Sequence, residues 1–186
     1  MPASAWIAAS IAAVIILYTI VTFNRLIRLR NMAREGWSGI DVQLRRRTDL
    51  IPNIVATVQG YAQHEKSVLE EVTACRAASM QVNGVSEQAH AQGALSGALG
   101  RLFAVAEAYP ELRADANFRA LQEELAQTED QIQMARRYYN GCVRELNTLI
   151  ESFPSILVAK PFGFSVAAYF ALDNAEQAAV PKVVLQ

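Results

Sequence analysis

Residues 44–58 read LRRRTDLIPNIVATV, from Leu44 to Val58, and the architecture turns on the middle of this stretch. Pro52 has no backbone N–H and disfavours a helical residue before it, so a helix arriving from the N-terminal side is expected to end near Ile51. Thr48 or Asp49 would then cap a new helix with Pro52 in its first turn. Against this, the apolar residues Leu44, Ile51, Val55, Val58, Ala62, Leu69 and Val72 keep one helical phase through the proline. The residues alone leave a turn, or a kink in one long helix, open.

Toward the N-terminus, Leu26, Leu29, Ala33, Trp37, Ile40 and Leu44 recur every three or four residues, which predicts one buried face with Arg28, Arg34 and Asp41 turned elsewhere. Residues 24–47 carry seven arginines against Glu35 and Asp41, whereas the chain as a whole has a formal charge of −1. Before them, Pro2 to Phe23 holds no charged side chain. About 22 residues at 1.5 Å each reach roughly 33 Å, enough to cross a bilayer core. Ile15, Ile16 and Leu17 lie within this run, and Trp6, Tyr18 and Phe23 serve as interface anchors near its ends. Arg25, Arg28, Arg30 and Arg34 come directly after it instead of a small-residue cleavage site, so the expectation is an uncleaved single-pass anchor. The positive-inside rule puts the N-terminus outside and the remainder in the cytoplasm. Arg25, Arg28 and Arg30 are then close enough to touch anionic headgroups, at about 1 kcal/mol each.

Toward the C-terminus, a second helix is expected to run to about residue 81, stopped at Asn83-Gly84, with Ser86 capping the next. That third helix carries Leu95, Leu99, Leu102, Phe103 and Ala106, interleaved with Gly93, Gly97 and Gly100. Each glycine costs about 1 kcal/mol in a helix interior, and close approach of another helix is the expected compensation. After Tyr109-Pro110 comes the clearest pattern of the chain: Phe118, Leu121, Leu125, Thr128, Ile132, Ala135, Tyr139, Cys142, Leu146, Leu149 and Phe153, a heptad seam. The seam serves an intramolecular bundle or a coiled coil between chains equally, and the short connections favour the first. Beyond Phe153-Pro154 an apolar tail contains Phe162, Phe164, Tyr169 and Phe170 and runs on to Pro181-Lys182-Val183-Val184.

Chemistry is sparse. Glu87-Gln88-Ala89-His90 is one Glu-x-x-His motif where a di-metal bundle needs two, and His64 has Tyr61 three residues before it. Cys75 and Cys142 read as small apolar fillers in a reducing compartment. No glycine-rich loop joins a strand to a helix, so no phosphate cradle is expected. Near-neutral charge argues against a nucleic-acid binder. Trp37, between Gly36 and Gly39, reads as a core anchor or as a contact for a neighbouring subunit. Arg45, Arg46 and Arg47 lie about 33 Å beyond the bilayer along a straight helix, several Debye lengths, and read as a solvated or partner-facing patch.

The residues resemble the LemA family of bacterial membrane proteins. The likeness runs through Phe23-Asn24-Arg25-Leu26, Trp37-Ser38-Gly39-Ile40-Asp41-Val42-Gln43-Leu44, Asp49-Leu50-Ile51-Pro52-Asn53, Gly60-Tyr61-Ala62 and His64-Glu65. It resumes at Tyr109-Pro110-Glu111-Leu112, Asn117-Phe118, Arg136-Arg137-Tyr138-Tyr139-Asn140, Phe153-Pro154-Ser155 and Gly163-Phe164. The chain departs from the family at Gly36, where alanine is usual, at Ile156, where asparagine is usual, and at Ala171, where the tail often carries an acid. The resemblance implies an all-α protein: an N-terminal single transmembrane helix followed by an up-and-down antiparallel four-helix bundle, which makes Thr48–Pro52 a turn. The expected organisation is an anchor at 1–24, a cytoplasmic bundle at 25–153 with helices near 25–47, 50–81, 86–109 and 115–152, and a tail at 154–186.

In that topology the tail, with Phe162, Phe164, Tyr169 and Phe170, returns to the bilayer surface, whereas an unbroken helix through Pro52 is expected to send it to the far end. The expected function is a non-catalytic, self-associating scaffold that organises or shapes the bacterial cytoplasmic membrane. The alternative is an adaptor or regulator that presents the bundle to another membrane protein, such as a protease or sensor kinase. No enzymatic activity, cofactor, metal, nucleic acid or small-molecule substrate is expected. The lipid bilayer, further copies of the chain and another membrane protein are the expected partners.

Overall fold

Helix α1 (Ala3–Tyr61) runs 59 residues with Pro52 inside it, so the turn that the resemblance implied at Thr48–Pro52 is absent. In an unbroken helix the amide of residue 52 would donate to the carbonyl of Thr48, and proline leaves that oxygen without its partner. Arg76, from the next helix, supplies the replacement, its Nε donating to the Thr48 oxygen at 2.9 Å. Pro52 itself lies on the exposed side. Thr48 caps nothing; its hydroxyl donates back to the Leu44 carbonyl at 2.7 Å inside the helix. The apolar stripe that crosses Pro52 is buried, with Ile51, Ile54 and Val58 fully enclosed.

The computed structural model describes residues 3–171, and the end of the expected tail, Pro181-Lys182-Val183-Val184 included, lies outside them. After α1 come α2 (Lys66–Gln81), α3 (Val85–Ala106), the short α4 (Pro110–Ala114), α5 (Ala116–Glu151) and the one-turn α6 (Ile156–Ala159). Among the described residues every regular element is helical. The second helix expected at 50–81 is thus divided at residues 62–65, where Glu65 N–H donates to the Ala62 carbonyl at 3.1 Å. Ala62 and Leu69 stand one heptad apart, so the apolar phase does not register this break. At the head of α3, Gly84 takes φ 111°, a conformation side-chain-bearing residues rarely adopt. Ser86 therefore lies inside the first turn and does not cap it. Asp115 starts α5, its carboxylate accepting the Phe118 N–H at 2.8 Å.

The chain divides into two compact units, one holding the residues up to Ile40 with Met134–Tyr169, the other Asp41–Gln133 with Phe170. In the second unit, Leu50, Ile51, Ile54 and Val58 of α1, Leu69 and Val72 of α2, Leu95, Leu99 and Leu102 of α3, and Phe118 and Leu125 of α5 form one apolar core. Polar pairs fix the directions. Arg46 meets Glu124 at 3.0 Å and Tyr61 meets Asp115 at 3.0 Å, so α5 runs antiparallel to α1. Arg101 pairs with Glu71, and the Gln88 amide donates to the Ser79 carbonyl at 3.3 Å, so α3 runs antiparallel to α2.

In the first unit, Leu26 and Leu29 of α1 pack with Leu146 and Ile150 of α5 and with Val158, Ala159 and Phe164 beyond it. Gly36 sets the closeness of the two helices: a Cβ there would lie 3.1 Å from the Tyr139 Cα. The expected seam of α5 is buried at Ile132, Tyr139, Cys142 and Leu146, but it moves to Ile150 at the end and leaves Phe153 80% exposed.

Candidate functional site

Over residues 6–21 of α1 the apolar side chains face outward. Trp6, Ile15, Ile16 and Leu17 are 60–68% exposed and Tyr18 is 39% exposed. A buried core helix would enclose such a run; this one is long and apolar enough to cross a membrane. Enclosure begins at Thr22, which is buried, and at Phe23, which is half-buried. The Phe23 ring lies 5.0 Å from that of Phe162 and 5.8 Å from that of Phe164.

The tail therefore comes back to the end of the apolar run although α1 is continuous, which corrects the expectation that an unbroken helix would send it away. The break at 62–65 restores the reversal lost at Pro52, so α1 and α5 remain antiparallel. Three features hold the tail in place. Gly163 at φ 71° lets the chain reverse after α6, and the Phe164 N–H donates to the Ala159 carbonyl at 3.1 Å. Asn147 then grips Ala167 on both sides, accepting its N–H at 2.8 Å and donating to its carbonyl at 2.9 Å. Tyr139 donates its hydroxyl to the Ala168 carbonyl at 2.8 Å, and burial pushes the Tyr139 phenol pKa upward.

Of the four aromatic residues expected to lie against the membrane, Phe164 and Phe170 are buried within the protein, while Phe162 and Tyr169 are exposed. Of the three arginines expected at headgroups, Arg25 and Arg28 are exposed, and Arg30 is half-buried with its guanidinium carbon 5.1 Å from the Phe164 ring centroid. Trp37 is half-buried, its ring 5.7 Å from that of Tyr139 on α5.

The expected Arg45-Arg46-Arg47 patch separates into three different environments. Arg45 is exposed and paired with Asp41 on its own helix at 3.0 Å, and Arg46 reaches Glu124. Arg47 is 4% exposed and does not belong to a surface patch. Its guanidinium donates to Gln92 at 3.1 Å and to Ser96 at 2.8 Å, with Glu129 at 3.6 Å. Burial lowers its pKa, and the Glu129 carboxylate opposes that shift. It lines a groove of about 560 Å³ together with Gly93, Gly100, Phe103 and Leu125 among others. A Cβ on Gly93 or Gly100 would meet nothing within 4 Å, so these glycines open the groove and do not admit a close helix. Periodicity could not reveal this, because it shows which face is apolar and not whether a neighbour fills it.

Among the described residues no three His, Cys, Asp or Glu side chains are grouped as metal ligands. His64 lies exposed in the 62–65 break and His90 exposed on α3, with Cys75 half-buried on α2 and Cys142 buried on α5. Sequence reasoning passed over Arg76 and Asn147, whose partners are distant carbonyls, and it placed Phe153, which is 80% exposed, in the seam of α5.

Magnetosome protein MamQ 2 of Paramagnetospirillum magneticum is 23% identical over 177 residues, covering 81% of this chain and 65% of the relative. Magnetosome protein MamQ of Magnetospirillum gryphiswaldense matches to the same extent. Protein LemA of Metamycoplasma hominis is 26% identical over 158 residues, covering 83% of this chain and 71% of the relative. The chain thus spans about 65% of the length of the MamQ relatives it matches. The LemA family model matches residues 36–184, most of the sequence, and the chain belongs to the LemA family.

Proposed function

We propose that this chain is a non-catalytic, single-pass membrane scaffold: the apolar start of α1 anchors it, and α1, α2, α3 and α5 serve as an up-and-down four-helix bundle on the cytoplasmic side of the bacterial inner membrane. The observation that carries this reading is the contrast within α1, whose side chains are exposed and apolar before Thr22 and periodically buried after it. Arg25, Arg28, Arg30 and Arg34, directly after the apolar run, favour a cytoplasmic location for the bundle. Self-association through bundle faces would let such chains organise or shape the membrane they share, an expectation supported at family level by likeness to magnetosome proteins.

The test is the native mass of the full chain extracted from its membrane in a mild detergent or polymer, with identification of every co-purifying chain. A discrete homo-oligomer supports the scaffold. A monomer bound stoichiometrically to another membrane protein overturns it in favour of an adaptor, for which the open groove beside Arg47 is the favouring observation.

A further inference from the structure

We propose that residues 153–166 form a second membrane attachment, a reversal of the chain whose outward apolar side chains insert into the interfacial layer of the same leaflet that the anchor leaves. The inference rests on the anchored reading of α1 and adds a contact to it. Phe153, Leu157, Phe162 and Val166 are 80%, 65%, 56% and 55% exposed, an apolar set that the protein itself leaves uncovered. Water is a poor neighbour for such a set, and large exposed apolar patches mark interaction surfaces.

The occupant is fixed by continuity and charge. Phe162 touches Phe23, the last residue of the apolar run, so this surface stands at the depth where α1 emerges from the bilayer. The partner it meets there is the boundary between headgroups and acyl chains, into which amphipathic segments sink by roughly 5–10 Å. Residues 152–171 contain no Asp or Glu, and Lys160, Arg25 and Arg28 are exposed, cations available to lipid phosphates. The attachment is also rigid. Phe164 and Val158 are buried against Leu26, Leu29 and Ile150, and the Asn147 and Tyr139 bonds fix the backbone at Ala167 and Ala168. The insertion is therefore preorganised, and the leaflet receives two apolar bodies side by side, the anchor and the reversal.

The experiment places single tryptophan probes in the full chain, reconstituted in phosphatidylglycerol/phosphatidylcholine nanodiscs that carry acyl-chain bromines either shallow or deep. Trp6→Phe leaves Trp37 as the background, to which Leu157→Trp or Phe162→Trp is added; both positions are exposed and tolerate the larger ring. Probes at 157 and 162 are expected to lose fluorescence to shallow bromines more than to deep ones, with the background unchanged, and to lose less when phosphatidylglycerol is omitted. Loss of Trp6 fluorescence to bromines in the unsubstituted chain reports the anchor separately. Quenching of Trp6 with none at 157 or 162 overturns the second attachment and leaves the anchor standing. No quenching of Trp6 overturns the anchored reading and the attachment with it. Shielding of 157 and 162 from aqueous iodide that depends on copies per disc, without bromine quenching, assigns the surface to a second copy and overturns the lipid assignment.

Discussion

A single guanidinium takes up the carbonyl that Pro52 leaves open inside α1. Arg76 donates to the carbonyl that proline leaves unpartnered, and a hydrogen bond from a charged donor contributes about 1.5 kcal/mol. Arg76→Ala should therefore lower stability by about that amount, measured by urea unfolding in detergent. In a Pro52→Ala background, the restored amide takes the Thr48 oxygen and the same substitution should cost less; equal costs in both backgrounds would disprove the coupling. Asp115 is a second residue-scale lever. Its hydrogen bond from the Phe118 backbone, followed by that from the Tyr61 hydroxyl, holds its carboxyl below the ordinary carboxylate value. A depressed folded pKa contributes stability above the unfolded value and loses it as pH falls through the folded one. Stability should thus decline in acid below about pH 4, and Asp115→Asn should flatten that part of the profile in thermal melts.

Between elements, closeness is set at Gly36 and polarity at Arg47. A side chain at 36 meets the Tyr139 backbone, which cannot swing aside as a flexible side chain could. Gly36→Leu should separate α1 from α5 and destabilise by about 1–3 kcal/mol. Gly36→Ala should change stability by less than about 1 kcal/mol, because alanine's helix propensity offsets the contact. Arg47→Ala leaves Gln92 and Ser96 without their buried donor and should cost about 3 kcal/mol. Glu129→Gln should cost about 1 kcal/mol or less, since Glu129 is 37% exposed at its side chain and 3.6 Å distant. A larger loss from Glu129→Gln than from Arg47→Ala in chemical denaturation would reverse this assignment of roles.

Among the described residues, each of the two units has an apolar core to which both α1 and α5 contribute. Ile150→Ala removes a buried side chain from the first core, a change that costs about 2–5 kcal/mol. Hydrogen exchange should show lost protection at residues 134–164 while the amides of α2 and α3 keep theirs, as expected when stability is held in separate local units. Uniform loss across both would mean that the chain opens as one body. Phe153, Leu157 and Phe162 stay exposed at this scale, and Phe162 packs against Phe23 at the end of the apolar run of α1.

The apolar run from Pro2 to Phe23 and the heptads of α5 were legible in the sequence because each is a one-dimensional pattern: length without charge, and spacing of three and four. Family membership was legible too, from ordered motifs spread over the chain. The site of the turn was not, since the phase from Ala62 to Leu69 reads the same across a break as through a helix. Nor was the fate of individual polar and aromatic residues. The carbonyl freed at Pro52 is met by Arg76, Arg47 is enclosed while Arg45 and Arg46 are not, and Phe164 is buried while Phe162 faces outward. These outcomes depend on which partner each face meets, and only the tertiary structure brings those partners together.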